Sequence, residues 1–501
     1  MNAHAHTSPP QEIELKLSLP GANMADLAKC LALMPLLGRR KASKQLLHNI
    51  YYDTPDQALR QQRVVLRLRR VGSAAKPQWL QTLKTGASDT SALSRRGEWE
   101  TAVSGPELDR EALKLTAWPD IDPDDSLFED LAPCFSTSFE RTSWQVRRRD
   151  GTWVEVALDI GQIEADGKHA PLCELELELK AGHPAVLFAI AQEIAQVVAV
   201  LPANQSKAER GFLLAQDSID QPQHAQAGRL GAHLAKPELA QRLLRDMFAQ
   251  FTMNLNALCT SDDPEVVHQA RVGWRRFKSG VRLFRKIPGV ADAPSQLDLQ
   301  PLLSCLGTLR NLDVALTGTL PPLAAHYCAG DARRTKAWQT LSAELTQAAN
   351  AERKAVRHAM QEPSVGANLL LITEWLENMA SANTRFDKKG GLRHWAKRRI
   401  LRLHERLKVA QQEAVTPEDH HRVRILAKRL RYGVEALRGL LPKRLAAFCH
   451  DQAANIQTTL GNSRDMSQAC TLVAALDVDP TITAYLHDVA EGKCVMKRSP
   501  T

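Results

Sequence analysis

The chain has 501 residues, 44% of them hydrophobic and 24% charged, with a formal net charge of +9 and a pI near 9.1. That length predicts two or three domains. No run approaches the twenty or so uninterrupted apolar residues of a membrane span, and Met1 to Gln11 lacks the basic-then-apolar order of a secretory signal. Nine cysteines, odd in number and never spaced as CxxC, argue for reduced thiols in a cytoplasm and against a disulfide framework or a zinc site.

Up to about residue 205 the pattern is one of short alternating strands: Glu12–Leu17, Val64–Arg70, Trp79–Thr85, Glu98–Val103, Thr142–Arg148, Trp153–Ile160 and Cys173–Lys180. Gly, Pro and Asp clusters separate them, as in an antiparallel sheet or barrel. Two helical stretches are expected near Ala25–Met34 and Ala185–Val200. The strands alternate apolar residues with ionised ones. On the first, Glu12, Glu14 and Lys16 share one face, about 7 Å apart, and Ile13, Leu15 and Leu17 share the other. Arg67 and Arg69, Lys84, Glu98 and Glu100, Glu155 and Asp159, and Glu174, Glu176 and Glu178 repeat the arrangement. Each such face, taken alone, is most simply solvated. Acidic and basic strands together are also what a cavity for a hard cation and a phosphate chain requires.

Glu12-x-Glu14-x-Lys16 resembles the opening signature of the CYTH family, the triphosphate tunnel metalloenzymes. Further matching blocks are Asn49–Pro55, Leu66–Arg69, Thr82–Lys84, Cys173–Leu179 and Ser206–Gly211, over residues 10–212 and in the family's order. The resemblance implies an eight-stranded antiparallel tunnel with charged residues pointing inward and flanking helices. It implies that Glu12, Glu14, Glu174 and Glu176 hold Mg²⁺ or Mn²⁺, with Asp159, Glu98 and Glu100 as further acidic members. Lys16, Arg67, Arg69, Lys84, Arg141 and Lys207 are implied as the phosphate-binding cations. His48, beside the Tyr51–Pro55 motif, reads as structural. The expected reaction is hydrolysis of inorganic triphosphate to pyrophosphate and phosphate. The alternatives are a nucleotide or thiamine triphosphate substrate, adenylate cyclase activity, or a protein that only binds polyphosphate.

The segment Gln216–Ala235 reads as a linker, narrowed to residues 213–227 by the two resemblances. Beyond it an Ala- and Leu-rich texture with a 3.6-residue period predicts helices. This half is duplicated. His268-x-x-Arg271-Val272-x-x-Arg275-Arg276-x-Lys278 returns as His421-x-x-Arg424-Ile425-x-x-Lys428-Arg429-x-Arg431, and Leu306-Gly307-x-x-Arg310-Asn311 as Leu460-Gly461-x-x-Arg464-Asp465. On a helix, His268, Arg271, Arg275, Lys278 and Arg282 fall within a stripe of roughly 80°, and the second set does the same. Like charges at this spacing repel, so an anionic ligand is expected. From Lys388 to Arg431 fourteen basic residues face four acidic ones, a local net of +10. Within this run Arg393, Lys397, Arg398, Arg402 and Arg406 predict a neighbouring basic helix.

These blocks resemble the CHAD domain, a helical module that binds polyphosphate, over about 228–495, with halves near 228–370 and 385–495. The resemblance implies that the paired stripes grip phosphate chains, with the histidines joining them. Few aromatics (5%) favour a bare phosphate polymer over nucleic acid. The fold class expected is thus α+β and multidomain, an antiparallel β-tunnel followed by an all-α duplicated bundle, in the cytoplasm and associated with polyphosphate granules.

Overall fold

The computed structural model describes residues 11–72, 76–86, 91–225, 234–379 and 391–492. Lys388 and Lys389 of the basic run, residues 226–233 around the linker, and 493–495 lie outside the described residues, as do the side chains of 460–464 in the second repeat. The first half contains strands β1 (Gln11–Ser18), β2 (Ser43–Asp53), β3 (Val64–Val71), β4 (Gln78–Thr85), β5 (Leu93–Val103), β6 (Ala132–Arg147), β7 (Trp153–Ala165), β8 (Lys168–Ala181) and β9 (Leu201–Pro202). Their order is β5-β4-β3-β2-β6-β7-β8-β1, and β1 pairs with β5 to close an eight-stranded antiparallel barrel. The two-residue β9 lies along the end of β1.

Helices α1 (Met24–Leu33) and α2 (Pro35–Gly38) follow β1, α3 (Ala58–Gln61) follows β2, and α4 (Arg110–Lys114) and α5 (Trp118–Ile121) follow β5. Then α6 (Ala185–Ala195) and α7 (Lys207–Ala215) flank β9. The barrel is apolar outside and charged inside. Leu15, Leu17, Trp144, Val146, Val154, Val156, Leu175 and Leu177 form its outer face, and Leu27, Leu31, Leu187, Phe188, Ile190 and Ile194 of the helices cover them. Each such large side chain withdrawn from water contributes about 1.5–3 kcal/mol, which offsets the cost of the polar interior.

Several strands exceed their expected limits. β6 begins at Ala132 rather than Thr142, because Phe135, Thr137 and Phe139 continue its inward face without a charge to mark it. β5 begins at Leu93 rather than Glu98. At Gly97 the strand leaves β4 for β1, and a Cβ there would collide with the Trp99 ring and the Thr85 hydroxyl. The helix expected to reach Val200 ends at Ala195. The β-branched residues that follow resist helix, and Leu201 is drawn into extended pairing beside β1.

The second half is helical throughout: α8 (Lys236–Leu258), α9 (Pro264–Phe284), α10 (Gln300–Val314), α11 (Pro321–Cys328), α12 (Ala332–Ala359), α13 (Pro363–Asn378), α14 (Leu392–Glu413), α15 (Pro417–Leu437), α16 (Lys443–Ala474) and α17 (Pro480–Ala490). The repeat is visible in how α9 and α15 begin. Asp263 accepts from the Glu265 amide at 2.7 Å, and Thr416 and Asp419 form a capping box, each satisfying amide donors left open at a helix start. The halves of the chain share an interface in which Leu370 of α13 joins the barrel's outer core and Leu201 joins the helical core. No helix among the described residues is long and apolar enough to cross a membrane.

Candidate functional site

Strand register brings the charges together. Directly opposed across neighbouring strands are Glu12 and Arg96, Lys16 and Glu176, Lys84 and Glu98, and Arg141 and Asp159. All of these except the fully buried Asp159 line one cavity of about 410 Å³, together with Tyr51, Arg67, Arg69, Glu100, Glu155, Glu178, Lys180 and Lys207. The Lys16 ammonium lies 3.0 Å from Glu176 and 3.2 Å from Glu14. Lys84 donates to both oxygens of Glu12 at 2.9 Å, and Arg141 holds Asp159 through two bonds of 2.7 and 2.6 Å while reaching Glu176 at 2.5 Å.

Helix α7 closes one end of this network. Ser206 caps it, accepting from the Glu209 amide at 3.1 Å. Its first residue, Lys207, contacts Asp159 at 2.7 Å, Glu176 at 2.9 Å, and Glu174. Gly211 lets the helix lie close, since a Cβ there would collide with the Phe135 ring. Arg60 of α3 grips Glu209 from the other side at 2.7 and 3.3 Å. In the Tyr51–Pro55 motif Tyr51 faces the cavity, stacked on Phe135 at 4.6 Å. Asp53 instead accepts the amides of Thr54, Leu59 and Arg60 and so clasps the turn into α3. His48 hydrogen-bonds Ser138 at 2.9 Å.

Two sets of carboxylates present oxygens within 4.8 Å of one another: Asp159, Glu174 and Glu176, and Glu12, Glu98 and Glu178. All-oxygen donor sets of this kind suit a hard divalent cation. Glu14 is shared between Lys16 and Arg96 instead. Glu100 stands at the more exposed rim, accepting from Thr82 at 3.1 Å and 3.7 Å from Arg69.

Burial alone would push these carboxyls toward the neutral form. For Glu176 the nearby Lys16, Lys207 and Arg141 reverse that and hold it well below the usual carboxylate range. Burial is likewise overcome at Asp159 by Lys207 and Arg141, and at Glu12 by Lys84 and Arg96. Glu178, where burial prevails, is raised. On the opposite wall burial and the neighbouring Arg67 and Arg141 lower Arg69 to about 10; it stays charged at neutral pH, in a region of surplus positive potential. Asn49, fully buried, accepts from Arg69 at 2.8 Å and donates to Thr137, fixing that guanidinium.

Arg96 and Asn49 were absent from the sequence-based site, and Glu178, placed on the charged face with Glu174 and Glu176, was given no role there. Extending β5 by one period from Glu98 through Gly97 would have revealed Arg96, and the phase of Glu174 and Glu176 continues to Glu178. Asn49 carries no charge to signal it.

In the helical half α9 packs against α15 in the opposite direction: Arg276 approaches Glu435 and Tyr432, while Arg282 approaches Arg429. Arg271, Arg275 and Lys278 are half-buried and Arg282 is exposed; on α15 Arg424 and Lys428 are half-buried and His421 is exposed. Arg431 pairs with Glu435 at 3.2 Å. Arg393 and Lys397 are exposed on the first turns of α14. Arg271 donates to the Leu303 carbonyl at 3.5 Å and packs over Gly307. The two recurring blocks are therefore two sides of one helix–helix contact.

Where α9, α14 and α15 meet, burial together with Arg282, Arg285 and Arg406 lowers Arg429, and burial together with Arg285, Arg406 and Arg402 lowers Arg399. Burial, Arg310 and nearby arginines also lower His268, so it is neutral at neutral pH and adds no charge to the stripe.

Residues 10–212 match the CYTH domain model and residues 242–474 the CHAD domain model. An inorganic triphosphatase of Haemophilus influenzae is 33% identical over 204 residues, 41% of this chain and 55% of its own. The chain thus spans about half the length of that curated relative. The CHAD domain from the plant Ricinus communis is 26% identical over 54% of this chain and 91% of its own, with a TM-score of 0.47. A putative adenylyl cyclase from Hippeastrum, described as having a dominant triphosphatase activity, is 17% identical over 42% of this chain and 96% of its own, with a TM-score of 0.29. With two family models matching in sequence order, the barrel half is a CYTH domain and the helical half a CHAD domain.

Proposed function

We propose that the tunnel hydrolyses inorganic triphosphate to pyrophosphate and phosphate with Mg²⁺ or Mn²⁺, and that the helical half binds polyphosphate. The observation that carries the first part is the pairing of buried carboxylates with buried cations in one cavity. In that state each sign satisfies the other. A metal–triphosphate complex brings both signs at once, so every internal pair can be exchanged: carboxylate to metal, cation to phosphate oxygen. Asp159, Glu174 and Glu176, with Glu12 and Glu14 on the adjoining strand and Glu98 and Glu100 toward the rim, are the residues that would hold the metal. When bound, that ion polarises a phosphoryl oxygen and offsets phosphate charge.

Lys16, Lys84, Arg141 and Lys207 bind and align the phosphate chain. Water attacks the terminal phosphorus, the bridging P–O bond breaks, and the oxygen leaves with pyrophosphate, whose charge Arg67 and Arg69 meet. Nothing in this chemistry needs a covalent intermediate. The apolar lining is confined to Leu47, Tyr51, Val65, Ala157 and Ala208, a poor platform for a nucleobase or a thiazolium ring. The name of the Haemophilus relative agrees with this reading.

Phosphate release should be measured with tripolyphosphate, ATP and thiamine triphosphate, each with Mg²⁺, Mn²⁺ or chelator. Tripolyphosphate is expected to react fastest, with chelator abolishing the reaction. Faster turnover of either organic substrate, or turnover in chelator, overturns the assignment.

For the helical half, the carrying observation is the meeting of Arg282, Arg399, Arg406 and Arg429 from α9, α14 and α15, which form no ion pair among the described residues. Reversing two exposed members, Arg282→Glu and Arg406→Glu, should weaken polyphosphate binding about 10- to 100-fold at low salt. It should also flatten the dependence of log affinity on log salt by about two, one per lost phosphate contact. Fluorescence anisotropy with labelled polyphosphate reads both, and an unchanged slope removes the ridge as the binding surface.

A further inference from the structure

The two halves are not beads on a linker. Two helices of the CHAD half grip the tunnel at the segments that present Arg96 and Lys207. From α8, Thr252 and Asn256 bond the Asn204 side chain at 3.2 Å and the Pro202 carbonyl at 3.0 Å, and three residues later the chain enters α7 at Lys207. From α13, Glu377 reaches the start of β5. Its side chain is 2% exposed. It accepts from the Ser91 hydroxyl at 2.7 Å and lies 3.1 Å from Arg95, both on the tunnel side, and 2.7 Å from Arg245 of α8. Gln241 of α8 in turn donates to the carbonyls of Leu376 and Glu377 at 2.7 and 3.2 Å, fixing the end of α13.

A carboxylate removed from water to this degree is tolerated only while its partners neutralise it, so it specifies one register between the elements that supply them. Here those elements are α8 and β5. Arg95 faces out of the barrel and the next residue, Arg96, faces in, donating to Glu12 at 2.6 Å and to Glu14. The adjoining Ala92 carbonyl accepts the Lys16 amide at 3.0 Å. Holding Ser91 and Arg95 therefore restrains the segment from which Arg96 reaches the β1 carboxylates. The β1 ladder sets Arg96 opposite Glu12, and Ala92 and Leu93 sit in the barrel's outer core; with the β4 pairing ended at Gly97, the hold on Ser91 and Arg95 is what secures the outer side of this segment.

We propose that Glu377, held by Arg245, is a positioning residue for triphosphate hydrolysis: it acts from the CHAD half, through Ser91 and Arg95, on the placement of Arg96 against Glu12 and Glu14. This rests on the tunnel being the hydrolytic site. Since α8 also packs along α9, the clamp stands one helix from the basic ridge.

Glu377→Gln keeps the shape and removes the charge. In the full chain with Mg²⁺ it is expected to lower kcat/KM for tripolyphosphate about tenfold, the range seen when a supporting partner of a site residue is lost. A double-mutant cycle separates positioning from general stability. In an Arg96→Lys background the Glu377→Gln effect should shrink to under about twofold, because the residue through which it acts is already altered. Arg95→Gln, at a half-exposed position that leaves Glu377 paired with Arg245, supplies a second variant if Glu377→Gln folds poorly, and it should lower kcat/KM in the same way. If the wild-type chain does not hydrolyse tripolyphosphate, the functional reading itself fails. If the wild type is active and both variants stay within twofold of it, or if their effects simply multiply with that of Arg96→Lys, the positioning role is overturned. A fall in melting temperature with kcat/KM unchanged overturns it too.

Discussion

Glu176→Gln is expected to reduce metal-dependent phosphate release from tripolyphosphate about 10³-fold, equivalent to roughly 4 kcal/mol of transition-state stabilisation. Among the described residues, no other tunnel carboxylate both contacts three cations and belongs to an acidic set. It touches Lys16, Arg141 and Lys207 at 3.0, 2.5 and 2.9 Å and belongs to the acidic set with Asp159 and Glu174. Neutralising it would remove a charged ligand of the proposed metal site and leave Lys16, Arg141 and Lys207, the proposed phosphate-binding cations, with less to hold them in line. Glutamine preserves volume, so packing is spared. The control is Glu140→Gln on the outer face of β6, whose exposed pair with Lys44 belongs to the class worth about 0–1 kcal/mol. A colorimetric phosphate assay under saturating substrate suffices. A loss smaller than about tenfold at Glu176 would mean that the metal is held elsewhere.

Arg96→Ala should cost the metal-free protein about 3–5 kcal/mol, because it strands two buried carboxylates at once. Glu12 is 8% and Glu14 2% exposed, and Arg96 bonds both. Burial works against the Arg96 charge, but Glu14 and Glu12 more than compensate and raise its pKa. Urea unfolding in chelator should show the loss. Millimolar Mg²⁺ should restore part of it, since a divalent cation bound to the folded state supplies the missing positive charge and stabilises by mass action. A cost below about 1 kcal/mol, or no recovery with Mg²⁺, would separate Arg96 from the carboxylates proposed to hold the metal.

Alternation was the most readable signal in this chain. Period-two placement of Glu12, Glu14 and Lys16, and of Arg67 and Arg69, puts each set on one face of its strand. The internal duplication likewise pointed to α9 and α15. Strand limits were less legible. β6 is unmarked through Phe135, Thr137 and Phe139, and β5 was begun at Glu98, on the far side of Gly97 from the residues that close the barrel. Arg96 was missed for that reason alone. The ridge shows a complementary failure. The stripe on one helix was visible, but Arg285, Arg399 and Arg429 join it only because α14 and α15 cross α9 at those positions.

What the sequence settled by itself is local: which side chains share a face, and that ionised residues of both signs recur in phase along several strands. Facing in or out is not a local property, since a strand with one charged and one apolar face is equally regular either way. That choice was made by the helices that cover the apolar side of the barrel and by the closure of β1 on β5. Joining the halves is also a tertiary decision. The Gln- and Ala-rich stretch between them reads as a tether, yet Glu377 is stable as a buried anion only because arginines separated by 150 residues, Arg95 and Arg245, arrive at it together.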